Sequence, residues 1–446
     1  MSLVQLTLPA VREFMVAGVH HADSNKIPSY RHTGWPNVCV SQKLRRVLWI
    51  IWLSLAAILT SATQFRSAQL AFGPGEALLL IWIGATLTKT LLIDGRPVSL
   101  LAREICVFWG MAFLLLSLGW TLGLYWEISD LSAYHDTAAY VFIFGLSFAV
   151  AHWIHPSKAL SSIHYLTLFS SIILPTLIGA WLIFGDALPV EIWYEGDVRR
   201  LSAWSSNPNQ LALLICPLPL FSGYLAMSCQ TIGCRLGYTA LFLPLLFLGY
   251  LTGSDALFVA WFSSFTLVIF LKSLQLAGAS RINYLRSVTV KLIVLILLVT
   301  SLVIAFTVAT ELYSERILDS LNTGNQASDR LMLWQHGVDA ILFSPIVGLG
   351  PGAYSGLMAP FSSTEAHNSI IDWGMNTGTL GMILLLFAYV TVLIRSRAQS
   401  LLLFGAVLSL LVFSLFHHVL RQPLFWLYII VAMVSMPARK SEVTAN

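Results

Sequence analysis

Charge is what this sequence has least of. Asp, Glu, Lys and Arg make up 10% of the 446 residues, against 57% hydrophobic, where a soluble domain carries about 25% charged residues. A water-soluble globule built this way would leave large apolar patches exposed. A bilayer removes that difficulty, because lipid solvates the apolar faces. Cysteine is also scarce: Cys39, Cys106, Cys216, Cys229 and Cys234 are the only five. On the topology below each lies in the cytoplasm or within a span, so no disulfide is expected. The first 46 residues lack the early apolar core of a signal peptide, so the first span is expected to act as an uncleaved anchor. No Asp-x-Asp triplet occurs, and no repeat at a fixed period.

Long apolar runs are what is present. They fall at 47–64, 76–93, 105–125, 138–154, 159–184, 208–227, 237–251, 255–272, 291–309, 379–394, 400–418 and 423–437. The runs at 237–251 and 255–272 are short and separated only by Thr252-Gly253-Ser254-Asp255. Basic residues test the count. With the N-terminus inside, all but six of the 25 Lys and Arg residues fall on cytoplasmic segments or span ends, with Arg235 and Lys272 flanking the short hairpin. That is the positive-inside pattern. It predicts an all-α polytopic membrane protein with about 12 transmembrane helices and both termini cytoplasmic. The domain reading is 1–46 as a cytoplasmic segment, 47–437 as a transmembrane catalytic domain with a long helical periplasmic loop over 310–377, and 438–446 as a cytoplasmic tail. The fifteen tryptophans suit aromatic belts at the headgroup level. The composition gives no reason to expect a nucleic-acid partner.

The six outward basic residues are all arginine: Arg66, Arg199, Arg200, Arg316, Arg330 and Arg421. Arginine keeps its charge and grips phosphate oxygens with a planar fork, although an ion pair with a nearby acid is the plainer role for any one of them. In the long loop, Ala327 to Phe343 reads as an amphipathic helix with Leu331, Trp334, Val338, Ile341 and Leu342 on one face and Ser328 or Asp329 as its cap. A glycine turn follows at Gly348, Gly350 and Gly352, and a second short helix is expected to carry His367 towards the tenth span. Of the eleven histidines, His417 and His418 are adjacent and point about 100° apart on a helix, a poor metal pair. His135 and His336 have no supporting motif.

Three outer-face clusters remain: Arg199-Arg200 with Asn207-Pro208-Asn209, Asp329-Arg330 at the start of the amphipathic helix, and His367-Asn368 with Gly378-Thr379-Leu380-Gly381 behind it. His367-Asn368, nine further residues and then Gly-x-x-Gly resembles the signature of the O-antigen ligase and polymerase superfamily. Arg330 with Trp334, closing on Gly348-Leu349-Gly350, is similar to that family's Arg-x-x-x-Trp segment and glycine turn. Arg200 through Asn207-Pro208-Asn209 is similar to its earlier arginine and Asn-Pro-Asn. Many relatives carry a basic residue after a Gly-Ser near the seventh span, where this chain has Gly253-Ser254-Asp255.

The resemblance implies a GT-C-like glycosyltransferase of the bacterial inner membrane, active on the periplasmic side. It would move O-antigen polysaccharide from undecaprenyl pyrophosphate to a hydroxyl of lipid A–core. His367 would be the general base. Arg200, Arg330 and Arg199 would bind the donor pyrophosphate, with Asn209, Asn368, Gly378 and Gly381 in support. For the two asparagines substrate contact and helix capping both remain open, and for the two glycines tight packing suffices. No metal or cofactor is expected, because the guanidinium groups supply the positive charge. A polymerase or protein O-oligosaccharyltransferase would use the same donor chemistry. A transporter or flippase would place ionisable residues mid-membrane, where this chain has few.

Overall fold

The computed structural model describes residues 36–66, 72–125, 130–195, 199–279, 326–354 and 364–435. The expected span 291–309, Arg316, most of the N-terminal segment and the tail 438–446 lie outside the described residues. The chain divides into two units, Met1–Val47 and Leu48–Asn446. Of the first, residues 36–47 are described, and they form the opening turns of helix α1 (Pro36–Leu59).

The remaining elements follow in order: α2 (Pro74–Leu87) with a π-helical turn Thr88–Ile93, α3 (Leu100–Tyr125), α4 (Asp130–Trp153) and α5 (Pro156–Phe184). A minimal antiparallel hairpin, β1 (Trp193–Tyr194) and β2 (Arg200–Leu201), pairs Trp193 with Leu201 and Tyr194 with Arg200. Then come α6 (Pro208–Ile215), α7 (Leu218–Ser228), α8 (Ile232–Leu251), α9 (Asp255–Ala279), α10 (Gln326–Phe343), α11 (Ser369–Gln399), α12 (Leu401–Ser414) and α13 (Pro423–Val434). Several starts are written in the sequence. Pro74, Pro156, Pro208 and Pro423 sit in first turns, where a fixed φ helps and a missing N–H costs nothing. Asn207 and Asn368 cap α6 and α11 by accepting backbone N–H groups.

Among the described residues, seven helical segments are long and apolar enough to cross a membrane: 74–93, 100–125, 156–184, 208–228, 232–251, 255–275 and 369–399. The apolar helices α12 and α13 have 14 and 12 residues. At ~1.5 Å per residue they are only about 21 and 18 Å long, less than a hydrocarbon core of ~30 Å. Leu80, Ile81, Val107, Met111 and Leu114 remain exposed on α2 and α3, a surface suited to lipid. The pair α6–α7 is the centre of the bundle. Its apolar window is 83% buried, against 17–33% for the other six segments. Around it α7 packs on α5, α8 and α12. The N-terminus of this central pair, at Asn207 to Gln210, opens onto the candidate site.

Two expectations are corrected. Cys229 and Cys234 form a disulfide. The turn between α7 and α8 brings their Cα atoms to 5.8 Å, a proximity that a topology argument does not see. The amphipathic helix is present, but its phase differs. Leu333, Gly337, Ala340 and Ile341 are buried with Trp334 half-buried, whereas Leu331, Val338 and Leu342 are exposed. Arg330, one turn before Leu333 and Trp334, therefore lies on the inward face. The expected short helix after His367 is present: it starts at Ser369 and joins the tenth span across a kink at Gly378.

Gly378 explains how. Its φ of 65° breaks the helical hydrogen-bond ladder inside α11. The turn after α10 repairs the break: Leu349 N–H donates to the Met375 carbonyl at 2.8 Å and Gly350 N–H to Asn376 at 3.1 Å. In return Thr379 N–H donates to the Pro345 carbonyl at 2.8 Å. Backbone lies on backbone here. A Cβ on Gly378 would overlap Ile346 and Val347, and one on Gly348 would overlap Asn376 and Thr377. Gly378→Ala is therefore expected to cost at least ~1–2 kcal/mol from backbone strain alone and to lower the thermal unfolding temperature in detergent. An unchanged unfolding temperature would contradict the account of the kink.

Candidate functional site

At one end of the bundle, four chain segments enclose a cavity of about 510 Å³. They are the start of α6 (Asn207, Asn209, Gln210), the start of α10 (Arg330, Leu333), the approach to α11 (Thr364, Glu365, His367), and the connection between α12 and α13 (His417 to Gln422).

His367 sits in the residue pair before α11 with a φ of 52°, a left-handed conformation uncommon for a residue with a Cβ. The loop around it is tied on two sides. Asp372, on the first turn of α11, accepts the Ala366 N–H at 2.8 Å and the Asn368 N–H at 3.1 Å. Ser369 donates its hydroxyl to the His417 carbonyl at 2.7 Å and accepts the Val419 N–H at 3.0 Å. Asn368 is a helix cap, accepting from Ile370 and Ile371. Burial pushes the His367 imidazole below its usual range. Arg330 and His418 push the same way, and Asp372 opposes them. The ring is therefore mainly neutral near pH 7 and able to accept a proton.

Arg330 makes no ion pair among the described residues, and it lines the cavity with His367. Arg200 approaches from behind Asn209. It donates to Asn209 Oδ1 at 3.1 Å and, through Nε, to the Thr252 carbonyl at 2.8 Å. The Gly253 turn (φ 56°) gives it room, since a Cβ there would press on Arg200 Cγ and Nε at 3.2 Å. Burial and Arg330 lower the Arg200 pKa and Asp255 raises it, but a guanidinium stays charged in proteins. His417 registers the whole cluster. Burial, with Arg330, His367 and Arg200 adding to it, drives its pKa down to about 3. Three groups far apart in sequence thus all act electrostatically on the His417 imidazole.

Arg199 does not join them. It is exposed, with its guanidinium 5.0 Å from the Trp181 ring and 5.1 Å from the Trp193 ring. Neighbouring residues on an extended segment point to opposite sides, so Arg200 faces inward while its predecessor faces the tryptophans. Asn209 is not a cap, since Asn207 fills that role. It orients Arg200 and lines the cavity. Gly378 and Gly381 do not line the cavity. They belong to the kink below it, where Trp373 donates its indole N–H to the Gly381 carbonyl at 3.0 Å.

Several groups here were not legible as site residues. Arg421, read only as one outward arginine, is buried in ion pairs with Asp136 and Glu365. Asp136 also accepts the Gly352 N–H at 3.2 Å and contacts His135 Nδ1 at 3.2 Å. His418 lies between Glu365 and Asp372, its Nδ1 3.9 Å and 3.8 Å from their carboxylates. The signal available was an acid, Asp136, at the start of an apolar run, and an arginine between two apolar runs. Among the described residues no three His, Cys, Asp or Glu are grouped so as to hold a metal ion.

Residues 240–386 match the family model described as O-Antigen ligase. That segment, about a third of the chain, is similar to the O-antigen ligase family. It spans Arg330, the glycine turn, His367 and the kink, whereas Arg200 and the 417–422 connection lie outside it. The search of curated proteins finds no match. The cavity therefore combines residues of the matched segment with groups contributed from both sides of it.

Removing one member of a buried ion-pair cluster leaves its partners uncompensated, at about 3–5 kcal/mol. Arg421→Ala strands two carboxylates, so its unfolding temperature in detergent is expected to fall well below that of the unaltered protein. A variant as stable as the wild type would show that the cluster carries no structural weight.

Proposed function

We propose that this chain is a glycosyltransferase that moves O-antigen polysaccharide from undecaprenyl pyrophosphate to a sugar hydroxyl of lipid A–core, at the periplasmic face of a bacterial inner membrane. The family match over 240–386 supports an activity of the ligase or polymerase type. The single observation that favours this chemistry is that His367 and Arg330 share one cavity, with Arg200 behind its Asn209 wall.

In the proposed step, the acceptor hydroxyl gives its proton to His367 as its oxygen bonds to the anomeric carbon. The bond from that carbon to the pyrophosphate oxygen breaks, and the electron pair leaves with the pyrophosphate. A single displacement inverts the anomeric centre. The charge that develops is on phosphate oxygens, where two guanidinium groups stabilise it more strongly in a partly desolvated site than in water. A pyrophosphate is a good leaving group, so no acid is needed. The positive charge of Arg200 and Arg330 also makes metal independence the expectation, and turnover should persist in EDTA.

The direct test supplies purified protein with the lipid-linked donor and either lipid A–core or a second donor molecule. Product on lipid A–core supports a ligase, and chain extension alone would reassign the chain as a polymerase. His367→Ala is expected to lower kcat by on the order of 10²–10⁴-fold, and wild-type turnover from a well-folded variant would end the reading of His367 as base. A base must be deprotonated to act, and His367 is held below its ordinary 6.5. The acid limb of the pH–rate profile should accordingly lie below pH 6.5, and a limb above it would contradict this assignment. Arg200→Ala and Arg330→Ala should each cost roughly 10²–10³-fold, whereas Arg199→Ala should leave turnover nearly unchanged. Equal losses at all three would show that the two adjacent arginines act together.

A further inference from the structure

We infer that Asp372 is a positioning residue for the transfer: its carboxylate fixes the His367 loop by holding the amides on both sides of that residue. The inference rests on the reading of His367 as the base.

The geometry is specific. Asp372 is 2% exposed, and its two oxygens divide the work. Oδ1 takes the Ala366 N–H and Oδ2 takes the Asn368 N–H. The residue between those amides is His367, in a strained left-handed backbone conformation that persists only where its surroundings hold it. A carboxylate offers two acceptors in one plane. An asparagine offers one acceptor oxygen and an NH2 group that only donates, so one amide would face another donor and the loop would open on one side.

The same carboxylate bears on the imidazole itself. The charged or titratable groups facing His367 are Asp372 on its own helix, Arg330 from α10, His417, His418 and Arg421 from the α12–α13 connection, and Glu365 before the loop. Of the influences on its ring, only Asp372 favours the protonated form. A base must take up a proton in the transition state, and an adjacent carboxylate stabilises the imidazolium that results. Orientation and charge thus come from one side chain that sits in the nine residues between the histidine signature and its Gly-x-x-Gly.

The experiment measures kcat, donor KM and the pH–rate profile of Asp372→Asn against the wild type and His367→Ala, with retention of undecaprenyl pyrophosphate as the check on fold. The expected result is wild-type retention, a donor KM within about twofold, and a kcat lower by about a hundredfold, the scale of a small misplacement of a reacting group. The acid limb should also move to lower pH, because a group that favours the imidazolium is gone. Wild-type kcat, or a lowered kcat with an unmoved acid limb, would overturn the inference, since a merely structural role leaves the midpoint where it was. If His367→Ala is inactive while Asp372→Asn is fully active, this inference alone fails. If His367→Ala is fully active, the reading of the base fails with it. Should Asp372→Asn not retain the lipid, Asp372→Glu carries the test. It keeps the charge but displaces the oxygens, so a lowered kcat with a wild-type midpoint supports the inference and a wild-type kcat overturns it.

Discussion

One buried guanidinium holds this end of the molecule together. Arg421, between the last two helices, pairs with Asp136 in the second turn of α4 and with Glu365, two residues before His367. Asp136 in turn accepts an amide from the glycine turn at Gly352. Four segments that are remote in sequence therefore depend on a single cation. The buried Asp136 carboxylate would not be stable there without it, and without the two carboxylates the arginine would have no reason to turn inward. The cavity wall is a consequence of this mutual requirement.

The second constraint is the exchange of backbone hydrogen bonds at Gly378. A helix broken inside a protein leaves carbonyls that must find donors. The glycine turn after α10 supplies them, and α11 supplies Thr379 N–H in return. The exchange fixes the distance between Arg330, on α10, and His367, at the head of α11. It also allows α11 to begin with polar residues, so that Asp372 and Asn376 lie above an apolar stem that continues to Arg395. There the helix is tied to α3 by Glu104, with Arg395 Nη2 2.8 Å from its carboxylate.

Much of the architecture was legible because its signal is one-dimensional. Apolar runs and first-turn prolines mark where helices lie, and described helices coincide with every expected run except 291–309, which falls outside the described residues. His367, Arg330 and Arg200 were singled out because each sits in a spaced motif. What failed needed a partner's position. The inward face of α10 was misread because Leu331, Val338 and Leu342 are as apolar as Leu333 and Ile341, and composition does not say which set meets protein and which is left outside. Arg199 and Arg200 are identical in type and adjacent, and only the extended backbone separates their roles. Arg421, Asp136 and Asp372 look like isolated charges in sequence, and their meaning lies in what they touch. The cysteine pair is similar: a five-residue separation permits a bond, and only the turn decides it.

The central claim is that a proton acceptor and two phosphate-binding cations converge on one lipid-linked donor. A density map of the protein in lipid nanodiscs with an undecaprenyl-pyrophosphate-linked glycan tests it most directly. The account predicts the pyrophosphate within hydrogen-bond reach of Arg200 and Arg330, with the anomeric carbon facing His367. A pyrophosphate bound elsewhere, for instance beside Arg199 and its two tryptophans with the cavity empty, would contradict it.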